Sequence, residues 1–187
     1  MIEVIHEHSL DTSLLPDGAN ILDIGCSGFL FTDYFRSLGN NVHALDIQEL
    51  QGEYHKLAIT NYSGFADVYE CDDKHATRLN RRFNKQSESS IITLTLQSFS
   101  NHVGIEFWDL IKMDVEGSEY EIIMSLEQPP AKQLSIEFHL HTGIYGEKEM
   151  IEMESKLLSL GYIALKHEKT SEHGAGFNYW DSLFVLK

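Results

Sequence analysis

Apolar positions along this chain alternate between short unbroken runs and stripes at helical spacing. Ile21, Leu22 and Ile24 form a run suited to a buried parallel strand. Gly25-Cys26-Ser27-Gly28 follows, a turn in which backbone can approach a ligand closely. Phe31, Tyr34, Phe35 and Leu38 then recur at i, i+3, i+4 and i+7, one face of a helix that Gly39 and Asn40 stop. Val42 to Leu45 predicts the next strand, and it closes on Asp46. Strand, glycine turn, helix, strand and acid together make a nucleotide-binding βαβ unit. A carboxylate at the tip of the second strand suits the paired hydroxyls of a ribose and disfavours a 2′-phosphate. The bland alternative is that the glycines only turn the chain and Asp46 is a solvated strand end.

Further along, the pattern predicts a short strand over 56–60, a turn at Asn61-Tyr-Ser-Gly64 and a strand over 65–69, the two strands pairing as a hairpin. Residues 72–90 are the most polar part of the chain and read as an exposed helix and loop, with 84–90 a mobile flap. A β-branched strand over 91–96, a helical turn over 97–102 and a buried strand over 108–113 follow, the last closed by Asp114. Gly117 opens a helix ended by Pro129 and Pro130, and 133–140 is the next strand. Met150, Met153, Leu157 and Leu160 mark a helix over 147–160, the methionines acting as core filler. Two closing strands span 162–166 and 179–186.

Strands alternating with helices predict an α/β fold: one domain over 20–187 behind a lead-in over 1–19, with a mostly parallel seven-stranded sheet, an antiparallel edge strand and helices on both faces. The length of 187 residues suits a single core. Ligands of such sheets bind at the carboxyl ends of the strands. Asp46, Asp114 and Glu137 all lie at predicted strand ends.

Charge narrows the partners. Acids outnumber Lys and Arg by 29 to 14, a formal net charge of -15, so nucleic acid and anionic membrane surfaces are disfavoured and a cationic ligand is favoured. The basic cluster of Arg78, Arg81, Arg82 and Lys85 reads as a solvated helix face, with local anion binding the alternative. With no apolar run long enough for a membrane span and no basic leader before residue 8, a cytoplasmic location is expected. Cys26 and Cys71 read as reduced thiols.

Asp109-Leu-Ile-Lys112-Met-Asp114-Val-Glu116-Gly117-Ser-Glu119 resembles the Lys-x-Asp-x-Glu-Gly-x-Glu signature of FkbM-type methyltransferases. Leu22-Asp23-Ile24-Gly25 resembles the family's first motif, Thr95-Leu96 its Thr-Leu-Asp step, and Ile136-Glu137-Phe138-His139 its strand ending in Glu-x-His. The family usually has a glycine where this chain has Phe29, Glu-Pro where it has Asp46-Ile47, and an acid where it has Gln97. The resemblance implies a class I methyltransferase fold, S-adenosylmethionine as cofactor, and O-methylation of a small-molecule or glycan hydroxyl. Placement at the glycine turn and the strand ends gives the cofactor-binding role to Asp23, Gly25, Cys26, Ser27, Gly28, Asp46, Ile47 and Asp114, and the catalytic role to Asp114, Glu137 and His139.

His139, with a pKa near neutrality, is the expected base, and His141, one residue beyond on the same strand, would point to the same side. A divalent cation held by Asp114, Glu137 and His139 is an alternative that is not favoured. For Glu116 and Glu119, favourable charge at a helix N-terminus is a sufficient role. A binding module that has lost catalysis, and a nicotinamide-dependent oxidoreductase, remain as rival functions. Oligomeric state is left open.

Overall fold

The computed structural model describes residues 1–70, 77–78, 86–170 and 179–187. The chain begins with β1 (Ile2–Ile5) and β2 (His8–Asp11), then β3 (Asn20–Ile24), α1 (Leu30–Ser37) and β4 (Asn41–Asp46). Four shorter or later strands follow: β5 (His55–Lys56), β6 (Ala58–Ile59), β7 (Gly64–Glu70) and β8 (Thr77–Arg78). Next come β9 (Gln86–Leu94), α2 (Leu96–Val103), β10 (Trp108–Met113) and α3 (Glu119–Met124). The chain closes with β11 (Ala131–Phe138), α4 (Glu147–Ser159), β12 (Tyr162–Thr170) and β13 (Tyr179–Leu186).

Seven strands form the main sheet in the order β12-β13-β11-β10-β3-β4-β5. From β11 to β5 every pairing is parallel, whereas β13 runs antiparallel to both β11 and β12. β3 lies inside the sheet, between β10 and β4, and its Ile21, Leu22 and Ile24 are buried, as a strand covered on both faces requires. On one face Ile21, Val42 and Leu110 pack against Phe31 and Phe35 of α1 and Leu10 of β2. On the other, Leu22, Ile24, Ile111 and Met113 meet Phe99 of α2, Ile122 and Ile123 of α3, and Met150 and Met153 of α4. The two methionines therefore fill core space, as their helical spacing implies.

Three local expectations change. The lead-in is a β-hairpin, β1 on β2, followed by a 3-10 turn over Thr12–Leu14. Its tight turn places His6 at φ 47° and Glu7 at φ 73°, so the Gly or Asn that usually marks such a turn is absent from the sequence. β6 and β7 do not pair with each other, because β9 lies between them, parallel to β6 and antiparallel to β7, in a second sheet ordered β6-β9-β7-β8. Residues 86–90, expected as loop, are the start of β9, where pairing with β7 outweighs a polar, serine-rich composition. Cys71, Arg81, Arg82 and Lys85, the rest of the expected flap and the Arg78 side chain fall outside the described residues. Among the described residues, no helix is long and apolar enough to cross a membrane.

Candidate active site

The carboxyl ends of β3, β4 and β10 are tied together by backbone. The amides of Gly25 and Cys26 donate to the Leu45 carbonyl at 2.9 and 3.1 Å, and that of Asp114 donates to Ile24 at 3.1 Å. Gly25 has φ +80°, and a Cβ there would lie 1.8 Å from the Asp114 carbonyl oxygen, so only glycine fits between these strand tips. The turn opens a groove lined by Gly25, Ser27, Asp46, Ile47, Asp114 and Glu116, among others.

Asp46 ends β4 on the groove wall. One of its oxygens accepts the Ser27 amide at 3.1 Å and the other the Gln48 amide at 2.8 Å. Each oxygen keeps a second acceptor site, because an ionised carboxylate offers about four in all. Burial raises its pKa, and the amide hydrogen bonds work against that rise.

Three residues expected at the cofactor do not line the groove. Asp23 is fully buried beneath the turn, where Thr32 Oγ1 donates to it at 2.6 Å and Lys112 Nζ stands 3.0 Å from its other oxygen. Alternation along β3 puts Asp23 with Ile21 on the face that α1 covers and Ile24 on the opposite face, while Gly25 reaches the groove from beyond the strand end. Cys26 is buried against Phe29 and Ala44, and burial, then Asp23 and Asp46, push its thiol up to about 12, which leaves it inert. Gly28 serves the turn at φ +80° and is absent from the lining. Phe29 adopts φ 62°, a left-handed conformation that glycine takes more readily, and its ring packs edge-on against Tyr54 at 5.8 Å. Gln97 is exposed on the first turn of α2 and donates to Asn101, while Thr95 caps that helix through the Ser98 amide at 3.1 Å.

Lys112 joins two of the sequence motifs. It is the register partner of Asp23 across β10 and β3, is 3% exposed, and reaches Asp114 at 3.5 Å as well as donating to the Gly25 carbonyl. Burial opposes its charge, but Asp23 and Asp114 outweigh that and raise its pKa. Burial likewise opposes ionisation of Asp114, and Lys112 followed by His139 overcomes it, so the carboxyl is held below its usual range.

Past Asp114, Glu116 at φ 52° and Gly117 at φ 109° turn the chain into α3. A Cβ on Gly117 would stand 2.3 Å from Ile144 Cδ1. The turn puts Glu119 in the first turn of α3, where it is fully buried, accepts the Gly117 amide at 3.2 Å and meets His139 Nδ1 at 2.6 Å. His139 Nε2 faces Glu137 at 3.1 Å, Asp114 at 3.4 Å and Glu116 at 3.9 Å. The structure thus brings Asp114, Glu137 and His139 together and adds Glu116, Glu119 and, from the N-terminal hairpin, His8.

This arrangement bears on the expectation that His139 is the base. Burial would lower its pKa, but Glu119, Glu137 and Asp114 raise it well above the ordinary value. With Glu119 at its Nδ1 and Glu137, Asp114 and Glu116 around its Nε2, the ring's surroundings favour its protonated form. The pKa of Glu137 is raised, chiefly by burial, despite its bond to His139. His141 leaves the strand: β11 ends at Phe138 and Leu140–Thr142 form a 3-10 turn, so the same-side argument does not apply, and its side chain lies outside the described residues. Glu119 and Lys112 stand within the signature quoted above, and the sequence carried no sign that each closes a contact to another motif. His8 had no sequence signal.

A methyltransferase FkbM domain matches residues 19–164. A search of curated proteins gave no match. Among solved structures, a TehB-like SAM-dependent methyltransferase from Corynebacterium glutamicum aligns at TM-score 0.50 and 16% identity, covering 94% of this chain and 84% of that one. The fibrillarin pre-rRNA processing protein of Methanococcus jannaschii aligns at TM-score 0.50 and 12% identity, covering 95% and 70%. At these identities the two structures speak for the fold alone. With the family domain matched over residues 19–164 of its 187, this chain belongs to the FkbM family of S-adenosylmethionine-dependent methyltransferases.

Proposed function

We propose that the chain methylates a hydroxyl of a small-molecule or glycan acceptor. The observation that carries this reading is that Asp114 and Glu116 belong both to the Gly25 groove and to the acid–histidine cluster, so one wall serves cofactor and acceptor. In this reading the absence of a side chain at Gly25 lets the cofactor approach closely, Ser27 lines the groove beside it, Asp46 takes its ribose hydroxyls, and Ile47 gives an apolar surface. When bound, S-adenosylmethionine supplies an electrophilic methyl group. The chain's own task is to hold the acceptor in line and to remove its proton.

Hydroxyls need that proton removed, whereas a neutral amine attacks without it, and the carboxylates beside the groove suit the first case. Glu137, whose pKa burial raises, stands beside Asp114 in the cluster, and Glu116 on the groove wall is the more accessible carboxylate. His139 positions Glu137 by donating to it while Glu119 anchors the other ring nitrogen.

The test is a panel of acceptors paired as hydroxyl and amine analogues, with S-adenosylhomocysteine release followed by mass spectrometry. Hydroxyl acceptors are expected to turn over, and Glu137→Gln to lower kcat by about 10² to 10⁴ with cofactor affinity preserved. Methylation confined to amines, or full turnover by Glu137→Gln and Glu116→Gln alike, refutes the assignment.

A further inference from the structure

The His8 imidazole beside the cluster is buried without a side-chain hydrogen bond among the described residues. His8 is 4% exposed, its Nδ1 lacks a hydrogen-bond partner among the described residues, and its Nε2 faces Asp114 Oδ2 at 3.8 Å, beyond hydrogen-bond reach. Phe31 packs edge-on against the ring at 5.7 Å and holds its plane. The hairpin that carries it is anchored to the sheet: the Ser9 amide and hydroxyl donate to Asp181 at 3.2 and 2.5 Å, and Asp11 exchanges two hydrogen bonds with Gln133. Burying an imidazole without hydrogen bonds is costly, so a site this firmly built around one calls for a ligand.

Donor atoms of His8, Asp114 and Glu137 lie within 4.8 Å of one another. Around them the carboxylates Asp23, Asp114, Glu116, Glu119 and Glu137 are faced by the cations Lys112 and His139, which leaves the locality net negative. We propose that His8, Asp114 and Glu137 bind a divalent first-row transition cation. One imidazole and two carboxylates suit Mn²⁺, Fe²⁺ or Zn²⁺ better than Ca²⁺, and they leave coordination positions open. His139, pinned by Glu119, donates to Glu137 and orients it, as outer partners of metal ligands do. Resting on the methyl-transfer reading, the open positions fit an acceptor with two adjacent oxygens. With the cation bound, Glu137 is a ligand and proton acceptance passes to Glu116.

The experiment titrates Mn²⁺ into the full chain without cofactor or acceptor, by calorimetry and electron paramagnetic resonance, so its outcome is independent of methyl transfer. One Mn²⁺ per chain is expected, with nitrogen coupling from the imidazole. His8→Ala and Glu137→Gln are each expected to weaken binding at least about tenfold. His167→Ala, which removes a histidine paired with Glu154 at 2.9 Å elsewhere, is expected to change nothing. No binding by the parent, or binding equal to the parent's in His8→Ala and Glu137→Gln, overturns the site. Should His8→Ala fail to fold, the nitrogen coupling decides: its absence from the parent's bound Mn²⁺ overturns the imidazole ligand.

Discussion

Replacing Lys112 by methionine tests the joint between the two halves of the site. Methionine keeps much of the apolar stem, so the change removes charge and donors rather than volume. Left behind are Asp23, fully buried with only the Thr32 hydroxyl at 2.6 Å, the partly buried Asp114, and the Gly25 carbonyl without its side-chain donor. Removing one member of a buried ion pair costs about 3–5 kcal/mol, because the remaining charge is uncompensated. For a chain of this size that corresponds to roughly 6–20 °C in Tm, at about 2–4 °C per kcal/mol. Urea denaturation read by circular dichroism gives the free energy directly. The double variant Lys112→Met/Asp23→Asn removes both charges and is expected to recover more than about 1 kcal/mol relative to the sum of the single changes. A loss under about 1 kcal/mol for Lys112→Met, or strict additivity in the double variant, would refute the claim that this pair holds the sheet tips together.

Other perturbations probe separate parts of the account. Gly25→Ala places a methyl against the Asp114 carbonyl in a left-handed residue, and calorimetry with S-adenosylmethionine is expected to show binding abolished alongside a lower Tm. Glu119→Gln is expected to leave cofactor affinity near the parent's while turnover falls about tenfold or more and its pH profile shifts, since His139 loses the partner that holds it charged. The stacked pair His43 and His55 has both pKa values lowered, chiefly by burial, so below about pH 6.5 the unfolded chain takes up protons that the fold resists, and stability falls as pH falls. Urea midpoints at pH 7.5 and 5.5 are expected to differ by less in His55→Phe than in the parent. Equal differences would exclude the pair as the source.

What was legible in the sequence is what is local or periodic. Ile21 to Ile24, the Gly25 turn, the Phe31-Phe35 stripe and Asp46 read correctly because a buried parallel strand and an amphipathic helix each leave a continuous pattern. The acids at the ends of β4, β10 and β11 were found because strand ends can be located from those same runs. What was not legible depends on pairing across the chain. Asp23 was assigned to the cofactor because nothing local shows that Lys112 lies opposite it in the neighbouring strand. The surroundings of His139 could not be read either, since Glu119 and Asp114 reach it from different elements. The hairpin stayed hidden because His6 and Glu7 occupy a turn usually marked by Asn or Gly, and β9 because its first residues are polar and gain their conformation from β7.

The central claim is that the Gly25–Asp46 groove holds S-adenosylmethionine, and calorimetric titration of the parent and of Asp46→Ala tests it most directly. The account predicts saturable binding to the parent and a loss of one to two charge-assisted hydrogen bonds in the variant, roughly 1.5–3 kcal/mol each, or at least about tenfold in Kd. Absence of binding to the folded parent, or a dissociation constant unchanged in Asp46→Ala, would contradict it.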